Sequence, residues 1–172
     1  MLSKTVFILC VLLLGLHLRA DDRITVTIVP ETSMERVPAG ISYSGNFYVV
    51  ISNKSLNSVR FWKDWCSWGF YNLAFDIKLN NGKVYYLEKV KNRVWDQNWP
   101  DYYIVPPNSY FVISVKFSSG DWESFPDEVK NSDTILLNAI YSIPDDQEQY
   151  AKKYKVWMGK TESEWQRINF YR

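Results

Sequence analysis

Residues 70–90 read FYNLAFDIKLNNGKVYYLEKV, and this stretch decides the fold class. Over residues 70–79 apolar side chains alternate with polar or small ones, which is the period of a strand with one buried face. The triplet Asn80-Asn81-Gly82 follows, and because Asn and Gly tolerate the positive φ of a type I′ turn, it predicts a hairpin. Residues 83–90 then return as the partner strand. The stretch therefore predicts two antiparallel strands joined by a tight turn.

The remainder of the chain shows the same succession of short strands and turns. Residues 46–52 form a nearly continuous apolar run, which predicts a strand buried on both faces. Residues 147–154 are the only helix candidate, and they are short and polar. The other predicted strands are 23–29, 59–63, 102–105, 109–117, 134–143, 155–159 and 165–171. About nine strands without a helical period predict an all-β fold, an immunoglobulin-like antiparallel β-sandwich formed as one domain by residues 21–172.

Residues 1–20 are typical of a secretory signal peptide. Lys4 supplies the positive end, residues 6–16 are apolar, and Leu18-Arg19-Ala20 offers a cleavage site. The apolar run of about eleven residues is shorter than the roughly 20 that a membrane-spanning helix needs. We therefore expect cleavage rather than a retained anchor, a secreted or periplasmic location, and no integral membrane segment in the mature chain.

The charge of the mature chain argues against polyanionic partners. Removal of Lys4 and Arg19 leaves 18 basic residues against 19 acidic residues, and no basic block interrupts the sequence. Nucleic acids and anionic membranes are bound chiefly through clustered lysine and arginine. We therefore expect neither to be a partner.

Histidine is absent from the mature chain, because the single histidine of the sequence is His17. A Ser-His-Asp triad, a Cys-His pair or a histidine-ligated metal site therefore cannot be built from one chain. We expect no enzymatic activity, no catalytic residue, no cofactor and no metal site. Calcium binding at residues 145–148 is the metal alternative, but this segment lacks the ligand spacing of an EF-hand loop, and Asp145 or Asp146 could instead cap the short helix.

Eight tryptophans make aromatic side chains the most informative candidates for a binding site. Most aromatic residues are needed for the core, so those outside the strand pattern are candidates for exposure. Two connections qualify, residues 61–71 and 95–103, and loops often carry function. In them Trp62, Trp65, Trp95 and Trp99 are predicted stacking or anchor residues, and Asp64, Asp96 and Asp101 predicted hydrogen-bond acceptors. The alternative is that both connections cap the ends of the sandwich.

Carboxylates near tryptophans offer one catalytic alternative, a glycan hydrolase that uses two acids. An acid packed against an indole can have the raised pKa that a general acid needs. No spacing in the sequence selects a pair, so solvated loop acids are the simpler interpretation. The candidates are Asp64, Asp96, Asp101, Asp121, Glu123 and Asp127.

Cys66 is the one cysteine left after cleavage, so it cannot form a disulfide within the chain. Burial as a small apolar side chain is the usual fate of such a residue. The alternatives are a reactive thiol or a dimer through Cys66. Asn53-Lys54-Ser55 matches a glycosylation sequon, but a turn after a strand is the more economical interpretation.

Several segments of the chain follow one another in an order that resembles that of a known family of proteins. They are the turn Pro38-Ala39-Gly40, residues 46–51, Asn53-Lys54-Ser55, residues 65–73 with Trp65-Cys66-Ser67-Trp68-Gly69, Asn81-Gly82 and residues 104–108. Over residues 37–117 this order resembles exported bacterial immunoglobulin-like β-sandwich proteins and is distantly similar to the BsuPI-type proteinase inhibitor domain. The resemblance implies the sandwich fold, and no inhibitory loop transfers residue by residue.

Together these observations predict a secreted or periplasmic, non-catalytic domain that recognises a macromolecule, either protein or glycan, through its aromatic loops. The alternatives are a proteinase inhibitor, a carboxylate-dependent glycan hydrolase and a structural envelope protein.

Overall fold

A computed structural model describes residues 23–31 and 39–171. The predicted signal peptide, residues 1–20, lies outside the described residues. None of the described helices combines the length and the apolar composition that are needed to cross a membrane.

The described residues contain eleven strands and three short α-helices. The strands are β1 (Ile24–Val29), β2 (Gly40–Ser42), β3 (Phe47–Asn53), β4 (Val59–Trp62), β5 (Leu73–Lys78), β6 (Val84–Leu87), β7 (Tyr102–Val105), β8 (Ser109–Val115), β9 (Thr134–Ser142), β10 (Lys160–Glu162) and β11 (Gln166–Tyr171). The helices are α1 (Ser67–Phe70), α2 (Asp127–Lys130) and α3 (Glu148–Tyr154), and one-turn 3-10 helices cover Phe117–Ser119 and Asp145–Gln147. The predicted helix at residues 147–154 is confirmed as α3.

The strands form three sheets. One has the order β1-β3-β8, the second has the order β2-β11-β9-β5-β6 with β10 also paired to β9, and the third is the ribbon β4-β7. Among the described strands the β2–β11 pair is parallel and the other pairs are antiparallel. The predicted all-β, antiparallel class is therefore confirmed.

The first two sheets share one hydrophobic core. The rings of Phe47 on β3, Phe75 on β5 and Phe117 contact one another, with centroids 4.9–5.7 Å apart. Burial of such large side chains supplies much of the free energy that favours folding. A core shared between two sheets is consistent with a sandwich, and the immunoglobulin-like arrangement stays a prediction.

The hairpin between β5 and β6 is confirmed, but its turn is not type I′. Gly82 has a φ of 88°, and no other residue of the turn has a positive φ. The Gly82 amide donates to the Leu79 carbonyl and the Leu79 amide to the Lys83 carbonyl, each at 2.9 Å. The loop therefore has three residues with glycine in the left-handed position, which needs only one residue with positive φ.

Strand β3 was expected to be buried on both faces, and this expectation is wrong. Phe47, Val49 and Ile51 are fully buried, whereas Tyr48 is exposed and Val50 is half-buried. Burial therefore alternates along β3 although residues 47–51 are all apolar. The reason is that apolar side chains also cover the outer face of the β1-β3-β8 sheet, and no other described element packs on that face.

The strand predicted at residues 155–159 is also wrong. Lys155 takes a left-handed conformation with a φ of 56° and ends α3. The Trp157 amide then donates to the Arg60 carbonyl at 2.9 Å. The Arg60 guanidinium donates in turn to the Tyr154 carbonyl at 2.8 Å, so two bonds connect the end of α3 to β4 without forming a ladder.

Candidate binding surface

The two aromatic connections singled out in the sequence lie side by side. The Trp65 and Trp99 rings meet edge to face, with centroids 5.3 Å apart at 70°. Asn98 accepts from the Ser67 amide at 3.0 Å and donates to the Ser67 hydroxyl at 2.8 Å. We call the exposed rings of Trp65 and Trp99, with the segments 63–67 and 98–101 that hold them, the tryptophan surface.

The first connection is held in place by its own backbone. After β4 ends, the Cys66 amide donates to the Lys63 carbonyl at 3.3 Å, and helix α1 begins at Ser67. A Cβ added at Gly69 would lie 2.1 Å from the Lys63 carbonyl oxygen. Glycine therefore permits the close turn that directs Trp65 outward while its neighbour Cys66 faces the interior.

Trp65 and Trp99 are the exposed members of the predicted set. Their side chains are 41% and 51% exposed. Trp95 is half-buried, because its ring packs at 84° against Phe70 with centroids 5.5 Å apart and the Arg93 guanidinium lies 4.9 Å from its centroid. Trp95 therefore packs against Phe70 and Arg93 and is not part of the exposed pair.

Trp62 does not belong to the surface, and the expectation that it is exposed is wrong. It is the last residue of β4 and only 1% exposed. Its ring packs against Tyr154 with centroids 5.5 Å apart, and Ala151 and Val156 complete the same buried cluster. The physical reason is that α3 packs on the β4-β7 ribbon and needs a large apolar side chain beneath it.

The three predicted acceptors have different surroundings. Asp101 forms an ion pair with Lys63 at 2.7 Å, and this hydrogen-bonded ammonium lowers the pKa of the Asp101 carboxyl. Asp64 accepts from the Tyr103 hydroxyl at 3.4 Å. Asp96 is exposed and has no hydrogen bond or ion pair with another described residue. Asp101 therefore fixes the two connections to each other, and Asp96 is the acid left available to a ligand.

A small cavity adjoins these connections, and the sequence did not point to it. It has a volume of about 140 Å³ and is lined by Asp64, Phe70, Lys89, Arg93 and Asp121, among others. The Lys89 ammonium lies 3.8 Å from the Trp122 ring centroid and 4.7 Å from that of Phe70. No local pattern marks Lys89, because its aromatic neighbours are about 20 or more residues away in sequence and reach it through tertiary packing.

Burial lowers the pKa of Lys89 to about 8, with Arg93 contributing and Asp121 and Asp64 opposing the shift. The folded protein therefore releases this proton near pH 8, whereas the unfolded chain keeps it up to about 10.5. Between these values the unfolded state binds more protons, so stability rises with pH.

The prediction is a pH-dependent difference between the wild type and Lys89→Met. The wild type should gain stability relative to this variant as pH rises from 8 to 10, because methionine removes the titrating group and keeps the apolar stem. Urea unfolding of both proteins at pH 7, 8, 9 and 10 measures it. A constant difference across this range would show that Lys89 titrates at its ordinary pKa.

The carboxylates proposed for a hydrolase are dispersed among structural contacts. Asp121 pairs with Arg93 at 2.6 Å and Asp127 with Lys130 at 3.0 Å. Glu123 accepts from the Lys91 amide at 3.3 Å. Asp76, which the sequence did not single out, has its pKa raised by burial first and Glu162 second. Of the named acids, Asp64 and Asp121 line the same small cavity, but Lys89 and Arg93 line it with them and Asp121 is already paired with Arg93.

The acidic segment 145–148 forms the 3-10 turn and the start of α3. Its carboxylates make no side-chain cap, so the capping expectation for Asp145 or Asp146 is wrong. Glu148 instead pairs with Lys152 one turn later at 2.6 Å. Over residues 23–31 and 39–171, no three acidic, cysteine or histidine side chains converge as a metal site would require.

Cys66 is fully buried, as the sequence favoured. Its thiol donates to the Lys63 carbonyl at 3.2 Å. A disulfide to a second chain needs a thiol at the surface, so this conformation opposes the alternative of a dimer through Cys66. The sequon residue Asn53 is buried as well, and its amide is used in hydrogen bonds, which supports the turn interpretation.

Comparison of the chain with family models, with curated proteins and with solved structures found no match. The resemblance to exported immunoglobulin-like proteins and to the BsuPI-type domain therefore stays a prediction.

Proposed function

We propose that this chain is an exported, non-catalytic domain that binds another protein through the tryptophan surface. The observation that carries the proposal is the pair Trp65 and Trp99, which come from separate connections and are held together while both rings face solvent. Tryptophan is the residue type most enriched among those that dominate protein–protein binding energy. A folded chain gains nothing in core stability from leaving two such rings in water.

The two segments of the tryptophan surface are connected by direct contacts. The ion pair Lys63–Asp101 and the two hydrogen bonds between Ser67 and Asn98 connect the segments that carry the rings. Binding to a surface that is already ordered loses less conformational entropy than binding to mobile loops. This favours a site that was built for contact over two loops that merely cover the end of a sheet.

The ring geometry favours a protein over a glycan. A sugar ring stacks on a flat aromatic face, and successive sugars need successive faces in one plane. The Trp65 and Trp99 rings stand at 70° and form a corner instead. A corner accommodates one apolar side chain of a partner, with Asp96 nearby in sequence to accept a hydrogen bond at the rim.

The test compares Trp65→Ala/Trp99→Ala with Tyr86→Ala, a control that removes an aromatic side chain, 60% exposed, from β6 in a different part of the fold. Partners are captured from an extracellular or envelope extract, purified, and titrated by calorimetry. We expect the double variant to bind about 30-fold or more weaker, because anchor residues contribute about 2 kcal/mol or more. The control should bind normally.

Both variants should stay folded and unfold in one cooperative thermal transition, because neither removes a residue of the buried core. Unchanged affinity of the folded double variant would refute the proposal. If a polysaccharide bound saturably and this binding required Trp65 and Trp99, the ligand of the tryptophan surface would be a glycan and not a protein.

A further inference from the structure

Strand β1 forms the edge of the β1-β3-β8 sheet, and one of its two edges is unpaired. The Lys54 amide donates to the Arg23 carbonyl, directly opposite in the register, at 2.7 Å. In an antiparallel pair the hydrogen-bonded positions alternate, so Thr25, Thr27 and Val29 also bond to β3. The backbone N–H and C=O groups of the intervening residues must therefore point to the free edge.

Those intervening residues are Ile24, Val26 and Ile28. The Ile24 carbonyl accepts from the Thr161 hydroxyl at 2.9 Å, which confirms the direction of this edge and ties β1 to β10. Within the described part of the chain, Val26 and Ile28 have no backbone partner on this side. The free edge of β1 therefore presents two backbone N–H donors and two backbone C=O acceptors, those of Val26 and Ile28.

The free edge opens into a groove with a volume of about 610 Å³. One wall is β1, and the other is the connection from β10 to β11, which carries Glu162, Glu164 and Trp165. Lys160 pairs with Glu162 at 2.7 Å, whereas Glu164 is exposed with no ion pair to a described residue. No lysine or arginine lines the groove, so its charge is negative.

Within its six residues β1 has no charge, proline or bulge, and β10 with its connection to β11 lies beside the edge without pairing with it. Soluble proteins block open edges with charged side chains, prolines, bulges or covering loops. The sequence of β1 is ITVTIV, with an unbroken register against β3 and no charge. An uncharged six-residue edge beside an acidic groove has the features of a receptor for one added strand.

We propose that the β1 groove binds an extended segment of another protein that carries lysine or arginine at alternate positions. The segment adds a strand to β1 through the N–H and C=O groups of Val26 and Ile28. Its basic side chains face Glu164 and Glu162, and one apolar side chain contacts the exposed ring of Trp165. This site is separate from the tryptophan surface and does not depend on it.

The test uses the synthetic peptide acetyl-KVKVKV-amide and two N-methylated isomers, one methylated at its lysine nitrogens and the other at its valine nitrogens. Successive N–H groups of a strand point to opposite edges, so only one isomer loses its donors to β1. We expect one isomer to bind about tenfold or more weaker than the other, because each lost hydrogen bond costs about 1 kcal/mol. Calorimetry measures affinity, and NMR follows the Val26 and Ile28 amides and the Trp165 indole.

Two charge variants complete the experiment. Glu164→Lys should weaken the parent peptide about tenfold, whereas Glu148→Lys, which reverses an exposed acid on α3, should leave it unchanged. Trp65→Ala/Trp99→Ala should also bind the peptide normally. The experiment therefore tests the groove proposal independently of the proposal for the tryptophan surface. Equal affinities of the two isomers, no peptide binding, or occupation of the edge by a second copy of the chain would each overturn the proposal.

Discussion

Replacing Asn53 with aspartate should lower the free energy of unfolding by about 4 kcal/mol at neutral pH. The Asn53 amide group donates to the carbonyl oxygens of Asn57 at 2.8 Å, Val105 at 2.9 Å and Pro106 at 3.2 Å. The residue is fully buried. Aspartate has nearly the same shape, but it would place a negative oxygen against these carbonyl oxygens, and the contact with the Val105 carbonyl is buried from water.

The amide oxygen of Asn53 holds the turn after β3 in place. It accepts from the Ser55 amide at 2.9 Å and from the Ser55 hydroxyl at 2.7 Å. One side chain therefore connects the end of β3, the following turn and the end of β7. Because these hydrogen bonds join β3 and its turn to the end of β7, which is far away in sequence, a defect at Asn53 should destabilise the whole fold rather than fray one loop.

Urea unfolding followed by tryptophan fluorescence measures the effect. Asn57→Asp is the matched control, since it makes the same chemical change at an exposed position of the same turn and should cost about 0.5 kcal/mol or less. Equal stabilities of the two variants would show that the Asn53 contacts do not contribute as described.

The cost of Asn53→Asp should also depend on pH. Burial among carbonyl oxygens raises the pKa of the introduced carboxyl above its unfolded value, so the penalty is full at high pH. As pH falls through the raised pKa, the carboxyl takes up a proton and can donate one hydrogen bond. The deficit relative to the wild type should therefore shrink between pH 7 and pH 5, and a constant deficit would contradict this account.

Trp62→Ala should also lower the free energy of unfolding by about 4 kcal/mol, the range found for large aromatic residues removed from cores. The Trp62 ring fills the space between β4 and α3 and contacts Tyr154, Trp68 and Tyr102 at centroid distances of 5.5, 6.3 and 6.5 Å. Its removal leaves a cavity that the seven-residue helix α3 cannot close without leaving the ribbon.

Two further variants test whether the loss comes from the buried ring of Trp62, from its indole N–H or from removing any tryptophan. Trp62→Phe should cost about 1.5 kcal/mol or less, because it keeps most of the ring and removes an indole N–H that has no hydrogen-bond partner. Trp99→Ala removes an exposed ring and should leave the urea midpoint nearly unchanged. If Trp62→Ala were as stable as Trp99→Ala, the packing role of Trp62 would be wrong.

Strands could be predicted from sequence wherever alternation and turn residues agree. Around Asn80-Asn81-Gly82 the pattern located both strands of the hairpin, and α3 lies where residues 147–154, short and polar, were the only helix candidate. The pattern failed at residues 155–159, because the start of this segment hydrogen-bonds back to α3 and only the Trp157 amide bonds to Arg60, so no strand ladder forms. It also missed the one-turn helices α1 and α2, which are too short to show a period.

The candidate site was only partly accessible to the same reasoning. Position in a connection suggested that Trp62, Trp65, Trp95 and Trp99 are all exposed, yet only Trp65 and Trp99 face solvent as a pair. Whether an indole lies inside or outside depends on which element packs over it. For Trp62 that element is α3, about 90 residues later in the chain, and no local pattern contains this information.

By itself the sequence determined the all-β class, the position of most strands, the burial of Cys66 and the two connections worth attention. These properties follow from the order of apolar, polar and turn-forming residues, which acts over a few neighbouring positions. Tertiary structure alone decided that Trp65 meets Trp99, that Asn53 joins three segments, that Lys89 lies between two rings, and that β1 is left with an open edge. Each of these depends on contacts between residues far apart in sequence, whose free energy arises only when the chain has folded.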